Sequence, residues 1–214
     1  MKERLEVIQK IFNKINGKTY VEVGVRFGCV FLRMIAPRKI GIDPRFQIPL
    51  LKKLFFFRGF FSNEYFEKTS DDFFVQDANE FEKGKIDVAF IDGWHTYDQS
   101  LKDFKNCLNH LSEKGVIILH DCNPTTPEMA SEKSAWEVWK TIVYIRSNYK
   151  DLNAFVLDRD YGMGIILRGN QENPLSFTPE EIKSMTYADL EKNRKNFLNL
   201  KSSDYFDQFL NTLS

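Results

Sequence analysis

Two stretches of this sequence bring acidic and imidazole side chains to the same kind of place. Ile86–His95 runs I-D-V-A-F-I-D-G-W-H, and Gly115–Asn123 runs G-V-I-I-L-H-D-C-N. Each holds a short apolar run that stops at an aspartate, Asp92 or Asp121, beside a histidine. Apolar runs too short for a typical helix and without alternation predict parallel strands buried on both faces. Ligands of open α/β sheets bind beyond the carboxyl ends of such strands. Asp92, His95, His120 and Asp121 are therefore expected in one crevice. Neighbouring strands lie about 4.8 Å apart, so the two carboxylates repel unless one is protonated, hydrogen-bonded or neutralised by a cation. A hard ion such as Mg²⁺ bridging Asp92 and Asp121 would meet that need and would acidify a hydroxyl bound to it. His95, at the mouth of the crevice, suits a general base, with Asp92 as the other candidate for that role. His120 lies inside an apolar strand end, which suits orienting a substrate. Trp94 points toward the crevice, and Asn123 opens the loop Asn123–Ala130, so both are expected to contact an acceptor.

A second group of residues suggests what else binds. Tyr20–Gly24 continues into V-R-F-G, placing Glu22, Gly24 and Gly28 at a strand end and the turn after it. Glycine there lets the backbone approach a ligand. Asp43 follows 19 positions after Gly24 at the end of the next strand, where a carboxylate can accept both hydroxyls of a ribose. A dinucleotide fingerprint needs G-x-G-x-x-G, and Arg26 stands at its second glycine. The carboxylates Glu22, Asp43, Asp72 and Asp92 suit a cation better than a pyrophosphate. S-adenosylmethionine has a ribose, a sulfonium and an ammonium, and no phosphate. It is the expected cofactor.

The elements that must hold these residues alternate between strand and helix. Strands are predicted at Tyr20–Gly24, Lys39–Asp43, Tyr65–Ser70, Ile86–Asp92, Val116–Asp121, Ala154–Leu157 and Met163–Arg168. Helices are predicted after Gly28 as far as Pro37, after a Ser70 cap, from Thr96-x-x-Gln99 to about Leu111, and over Ser134–Tyr149. Strands separated by helices imply right-handed crossovers and a doubly wound α/β sheet. The short connection Asp158–Gly162 suits an antiparallel hairpin. Thr178-Pro179-Glu180-Glu181 and Thr186-x-x-Asp189 each start a helix in a C-terminal extension, residues 170–214, of the domain formed by residues 1–169. Residues 45–64 form an aromatic and basic insertion. Its segment Leu54–Phe61 is expected to form a homodimer interface, with a substrate lid as the alternative.

Bulk properties narrow the partners. Lys+Arg and Asp+Glu both total 30, which argues against nucleic acid. Three cysteines without a C-x-x-C pair suit a reducing, cytoplasmic compartment. No run approaches the roughly 20 apolar residues that span a bilayer. A small-molecule or glycan acceptor is the expected partner.

The motifs E-V-G-x-x-x-G, G-I-D-P, I-D-G-x-H-T-Y and H-D-C-N-P together resemble the class I S-adenosylmethionine-dependent methyltransferases. More narrowly, they are similar to bacterial members related to sugar and macrolide O-methyltransferases. The resemblance spans Tyr20 to Gly169. It implies a Rossmann-like, seven-stranded sheet with its last strand antiparallel. It also implies that Glu22, Gly24 and Gly28 surround the methionine part of the cofactor, that Asp43 holds the ribose, and that Ser70 and Asp72 lie near the adenine. A metal set in the region of Asp92 and Asp121 is implied as well, although His120 departs from the more acidic pattern of the metal-using relatives. Two other functions compete: a metal-dependent oxygenase or hydrolase built on Asp92, His95, His120 and Asp121, and a non-catalytic cofactor-binding module.

Overall fold

A computed structural model of the chain describes residues 2–49, 62–77, 85–131 and 137–213. Seven strands, β1 (Thr19–Val23), β2 (Arg38–Asp43), β3 (Ser62–Glu67), β4 (Ile86–Ile91), β5 (Leu111–Leu119), β6 (Leu152–Leu157) and β7 (Met163–Arg168), form one sheet in the order β3-β2-β1-β4-β5-β7-β6. The pairs from β3 to β5 are parallel, and β7 runs antiparallel between β5 and β6. The order reverses at β1 and β4. The loops after their carboxyl ends diverge there and leave a crevice.

Side-chain alternation along the strands divides the core into two layers. Val21, Val23, Ile40, Ile42, Ala89 and Ile117 face the helices α2 (Ser70–Gln76), α3 (Tyr97–His110), α4 (Val138–Asn148), α5 (Pro179–Ser184) and α6 (Tyr187–Phe197). Tyr20, Val88, Phe90 and Ile118 face α1 (Lys2–Lys14) and α7 (Tyr205–Thr212). The α1 helix is amphipathic, and Val7, Ile8, Ile11 and Phe12 supply its buried stripe. Among the described residues, no helix is long and apolar enough to cross a membrane.

Several expected elements differ in detail. The segment after Gly28 is not a helix; residues 26–33 form consecutive turns. Arg26 (φ 43°) and Gly28 (φ 69°) occupy the left-handed region, which a right-handed helix excludes. Lys39 then takes the carbonyls of Phe31 and Met34 at 2.9 Å each, so neither is left to a helical ladder. The third strand starts earlier than expected, at Ser62, and Thr69 rather than Ser70 caps α2 by accepting the Asp72 amide. Thr96 caps α3 as expected, but the Gln99 side chain turns away to Ser70, Asp71 and Asp103. The C-terminal part contains α7 in addition to the two expected helices. The expected interface segment Leu54–Phe61 lies outside the described residues.

Candidate active site

A cleft of about 960 Å³ opens at the carboxyl ends of β1, β2 and β4. Glu22, Gly24, Asp43, Ser70, Asp92, Trp94 and His95 all line it. Gly24 follows β1 and packs against the backbone of Asp92 and Gly93 after β4. Its φ is +90°, and a Cβ there would stand 2.2 Å from the Asp92 carbonyl oxygen. Only glycine fits, for reasons of both conformation and space.

The Asp43 end of the cleft is held by backbone amides. Asp43 is 7% exposed. Its Oδ2 accepts the Arg26 N–H at 2.8 Å and its Oδ1 the Arg45 N–H at 2.7 Å. Each oxygen keeps a second lone pair, so the carboxylate is fixed in position and can still accept two hydroxyls. Ser70 donates to Asp103 at 2.6 Å. Burial pushes the Asp103 carboxyl up to about 6, against the pull of Ser70 and Gln99. Asp72 does not line the cleft: it is exposed and accepts the Thr69 hydroxyl. Asp71 takes the place expected of it on the cleft wall. Gly28 is buried against Ile48 and Leu32 and shapes the turn rather than the cavity.

Glu22 is a buried acid on the α1 side of the sheet, 2% exposed, two residues beyond Tyr20 on the same face. The Tyr20 hydroxyl donates to it at 2.5 Å. Burial pushes its carboxyl up to about 8; Tyr20, the Phe31 amide and Lys39 pull the other way, and Asp92 adds to the rise.

At the Asp92 end of the cleft the expected group assembles. Asp92, His95 and Asp121 present ligand atoms within 4.8 Å of one another. His95 Nε2 lies 3.4 Å from Asp92 Oδ1, and its Nδ1 lies 3.4 Å from Asp121 Oδ2. His120 is 3% exposed, with Nδ1 at 2.8 Å from Asp121 Oδ1 and 3.2 Å from Asp92 Oδ1. These His120 contacts are close but poorly aligned as hydrogen bonds, so their effect is mainly electrostatic. Burial disfavours a charge on His120, but Asp121, Asp160 and Asp92 outweigh it and raise its pKa to about 11. Burial likewise works against ionised Asp92, yet His120, His95 and Arg4 hold its carboxyl well below the usual range. A protonated, buried His120 is an internal counter-ion, not a substrate contact. Asp121 adopts a left-handed φ of 59°, a conformation aspartate tolerates better than most residues.

Two charged residues that the sequence reading missed complete this group. Arg4, near the start of α1, places Nη1 2.9 Å from Asp92 Oδ2 and Nε 2.5 Å from Asp160 Oδ2. Nothing local in the sequence marks Arg4. Asp160 was findable: β6 runs parallel to β5, so its following loop must emerge at the same edge as Asp121.

With these partners, all four carboxylate oxygens of Asp92 and Asp121 already face a guanidinium or imidazole nitrogen within 3.4 Å. The donor types would suit a divalent cation, but this arrangement does not fit one. A metal ion would have to displace Arg4 from Asp92 Oδ2 and part Asp121 Oδ1 from His120 Nδ1, 2.8 Å away. A two-histidine iron site fits no better, because both His120 nitrogens face carboxylates.

The remaining expected residues divide. Trp94 is 70% exposed at the cleft wall. Asn123 is 5% exposed, and its side chain is used internally: Nδ2 donates to Asp158 at 3.0 Å, and Oδ1 accepts Arg194 at 2.5 Å. Its amide organises the loop. Trp139 is core, and burial drives the Cys122 thiol far above its ordinary range.

Comparison with known proteins gives this geometry a context. Residues 21–122, just under half the chain, match the family model described as a methyltransferase domain. An uncharacterized protein of Sinorhizobium fredii is 26% identical over 98 residues, 46% of this chain, and the match spans only 10% of that protein's length. The solved Bacillus cereus O-methyltransferase in complex with SAH superposes with a TM-score of 0.58 at 14% identity, over 78% of this chain and 80% of its own. A Podospora anserina methyltransferase bound to SAH gives 0.54 at 14%, over 79% and 80%. At such identities these two structures establish a shared fold. Residues 21–122 thus match a methyltransferase domain, and the seven-stranded sheet has the fold of the class I S-adenosylmethionine-dependent methyltransferases.

Proposed function

We propose that this protein methylates a hydroxyl of a small-molecule acceptor, a sugar among the candidates, using S-adenosylmethionine. The observation that carries the reading is the single cleft that joins the Asp43 end to the Asp92–His95 end. The cofactor, when bound, supplies an electrophilic methyl on a positively charged sulfur. Asp43 would receive the ribose on its two remaining lone pairs. Gly24 leaves room beside the strand end, and Glu22 lies close enough to the cleft to stabilise positive charge. Ser70, Gln99 and Asp71 form the polar wall at the adenine end. His95, at the open side of the cluster, would take the proton of the acceptor hydroxyl, with Asp92 and Asp121 orienting its ring. Trp94 and Phe27 offer exposed aromatic surface to an acceptor at the cleft. Fixing acceptor oxygen, methyl and sulfur in line accounts for much of the acceleration such a transfer needs.

Calorimetric titration with S-adenosylmethionine and with SAH tests the cofactor half. Binding to the native chain and at least tenfold weaker binding to Asp43→Ala is the expected result. Absence of binding by the native chain would defeat the proposal. Where the cofactor binds, transfer of labelled methyl groups to a panel of sugar, phenol and polyketide alcohols tests the second half. His95→Ala should lower the transfer rate by 10²-fold or more, on the order of what a positioned base contributes, while leaving cofactor affinity nearly unchanged. Binding without transfer to any alcohol would favour the non-catalytic reading.

A further inference from the structure

We propose that Arg4 is a positioning residue that fills, from the first helix, the seat a divalent cation would take beside Asp92. The inference builds on the reading of this crevice as the methyl-transfer centre, but its geometry stands independently. Arg4 Nε and Nη2 both point at Asp160, at 2.5 and 3.3 Å, while Nη1 reaches Asp92 at 2.9 Å. One planar group therefore joins the residue after β4 to the β6–β7 loop. A guanidinium can do this because its donors fan out in a rigid fork.

The side chain is not a loose surface arm. It is 15% exposed and lines the cleft. The helix that carries it is anchored within two turns by Val7, Ile8 and Ile11, all fully buried. Three carboxylates, Asp92, Asp121 and Asp160, converge here, and burying them without cations would be prohibitive. Arg4 meets two of the three directly. It also orders the centre: with Oδ2 of Asp92 engaged, Oδ1 is the oxygen turned to His95. Arg4 thus acts on the base through Asp92 rather than by touching substrate. Methyl transfer should accordingly proceed in the presence of a chelator.

The test is Mn²⁺ binding, followed by electron paramagnetic resonance of the free ion, on the full chain without cofactor or acceptor. The native chain is expected to bind Mn²⁺ no better than a chain carrying Asp121→Asn. Arg4→Ala, which removes the competing cation, should bind Mn²⁺ at least tenfold more tightly, and adding Asp121→Asn should abolish the gain. Arg4→Lys keeps a charge and should exclude Mn²⁺ as the native chain does. A merely structural arginine would not produce a gain of metal binding reversed by lysine. Circular dichroism shows which variants are folded, and Arg4→Gln replaces Arg4→Ala if the latter is not. Native affinity for Mn²⁺ equal to that of the neutral variants would overturn the proposal, as would the absence of any gain in them. Because no cofactor is present, neither result depends on S-adenosylmethionine binding, which calorimetry decides separately.

Discussion

At the scale of single residues, the buried Glu22 makes the protein's stability and its ligand affinity depend on pH. Burial pushes its carboxyl up to about 8 from an ordinary 4.5. The folded state therefore favours the neutral form. The stability this contributes is complete below the unfolded pKa and is lost as pH rises through the folded one. Lys39, lowered to about 8 from 10.5 chiefly by burial, works in a different window: its contribution is full above 10.5 and is lost as pH falls through about 8. Between about pH 5 and 8 the Glu22 slope thus stands clear of Lys39. Thermal melts of the free protein should fall across that interval. Asp103 below about pH 6 and His120 above about 6.5 add slope of the same sign, so Glu22→Gln should flatten the fall in part. A cation bound in the cleft favours ionised Glu22, so cofactor affinity should rise over the same interval in the native chain and stay level in Glu22→Gln. Gly24→Ala is a steric counterpart. Its new methyl would meet the Asp92 carbonyl, and a loss of roughly 2 kcal/mol or more is expected in denaturant titrations. Most of this centre was legible because Asp43, Asp92 and Asp121 each follow a buried strand, and a strand's end is a local property. Arg4 was not, since an arginine on an amphipathic helix looks like any solvated charge; only its 88-residue contact with Asp92 gives it a role. Asp72 was misplaced by one position, because the turn of α2 presents Asp71 inward and leaves Asp72 to its cap.

At the scale of elements, the loop after β5, which the proposed function would set beside the acceptor, depends on a helix remote from it in sequence. Arg194, on α6, donates to the Asn123 side chain and to the Pro124 carbonyl at 2.7 Å. Tyr187, on the same helix, donates to the Thr125 carbonyl at 2.9 Å. The loop after β5 is therefore fastened from above, and the proline at 124 contributes no amide of its own. Arg194→Ala should cost about 1–3 kcal/mol, in the range for losing hydrogen bonds from a charged donor. In steady-state kinetics it should raise KM for the acceptor while leaving cofactor affinity within about twofold, since Arg194 holds the loop after β5 and does not line the cleft. Equal losses at both ends would mean the loop supports the whole cleft. Strand positions were legible here because apolar runs and caps are written locally, as at Thr178 and Thr186. The stretch after Gly28 was not: its conformation is set by two left-handed residues and by Lys39 reaching back from β2. No helical periodicity could register that competition.

At the scale of the whole molecule, the C-terminal residues protect an edge that the sheet order leaves open. β6 is a terminal strand of the sheet, and unpaired edges recruit other chains. Residues 198–201 run alongside it: Val156 N–H donates to the Leu198 carbonyl and Lys201 N–H to the Val156 carbonyl, at 2.9 and 2.8 Å. Ile182, Leu190, Phe197 and Leu198 meanwhile join the apolar layer on the α3–α4 face. The link between tail and body is Arg146 of α4, 1% exposed. It donates to the carbonyls of Asn196, Phe197, Glu172 and Asn173, and burial lowers its pKa to about 10. Replacing it with methionine keeps much of the volume and leaves four carbonyls without their donor, that of Phe197 in the core. The expected cost is about 2–3 kcal/mol, or roughly 5–10 °C in Tm for a chain of this size. Arg146→Lys should recover only part of it, because one ammonium cannot reach four carbonyls in that plane. If the tail is a guard for β6, light scattering should also show Arg146→Met associating at temperatures where the native chain stays dispersed, and a chain cut after Gly169 should associate sooner still. A cut chain that remains dispersed and binds S-adenosylmethionine would show instead that residues 1–169 stand alone and that the tail serves only the acceptor loop.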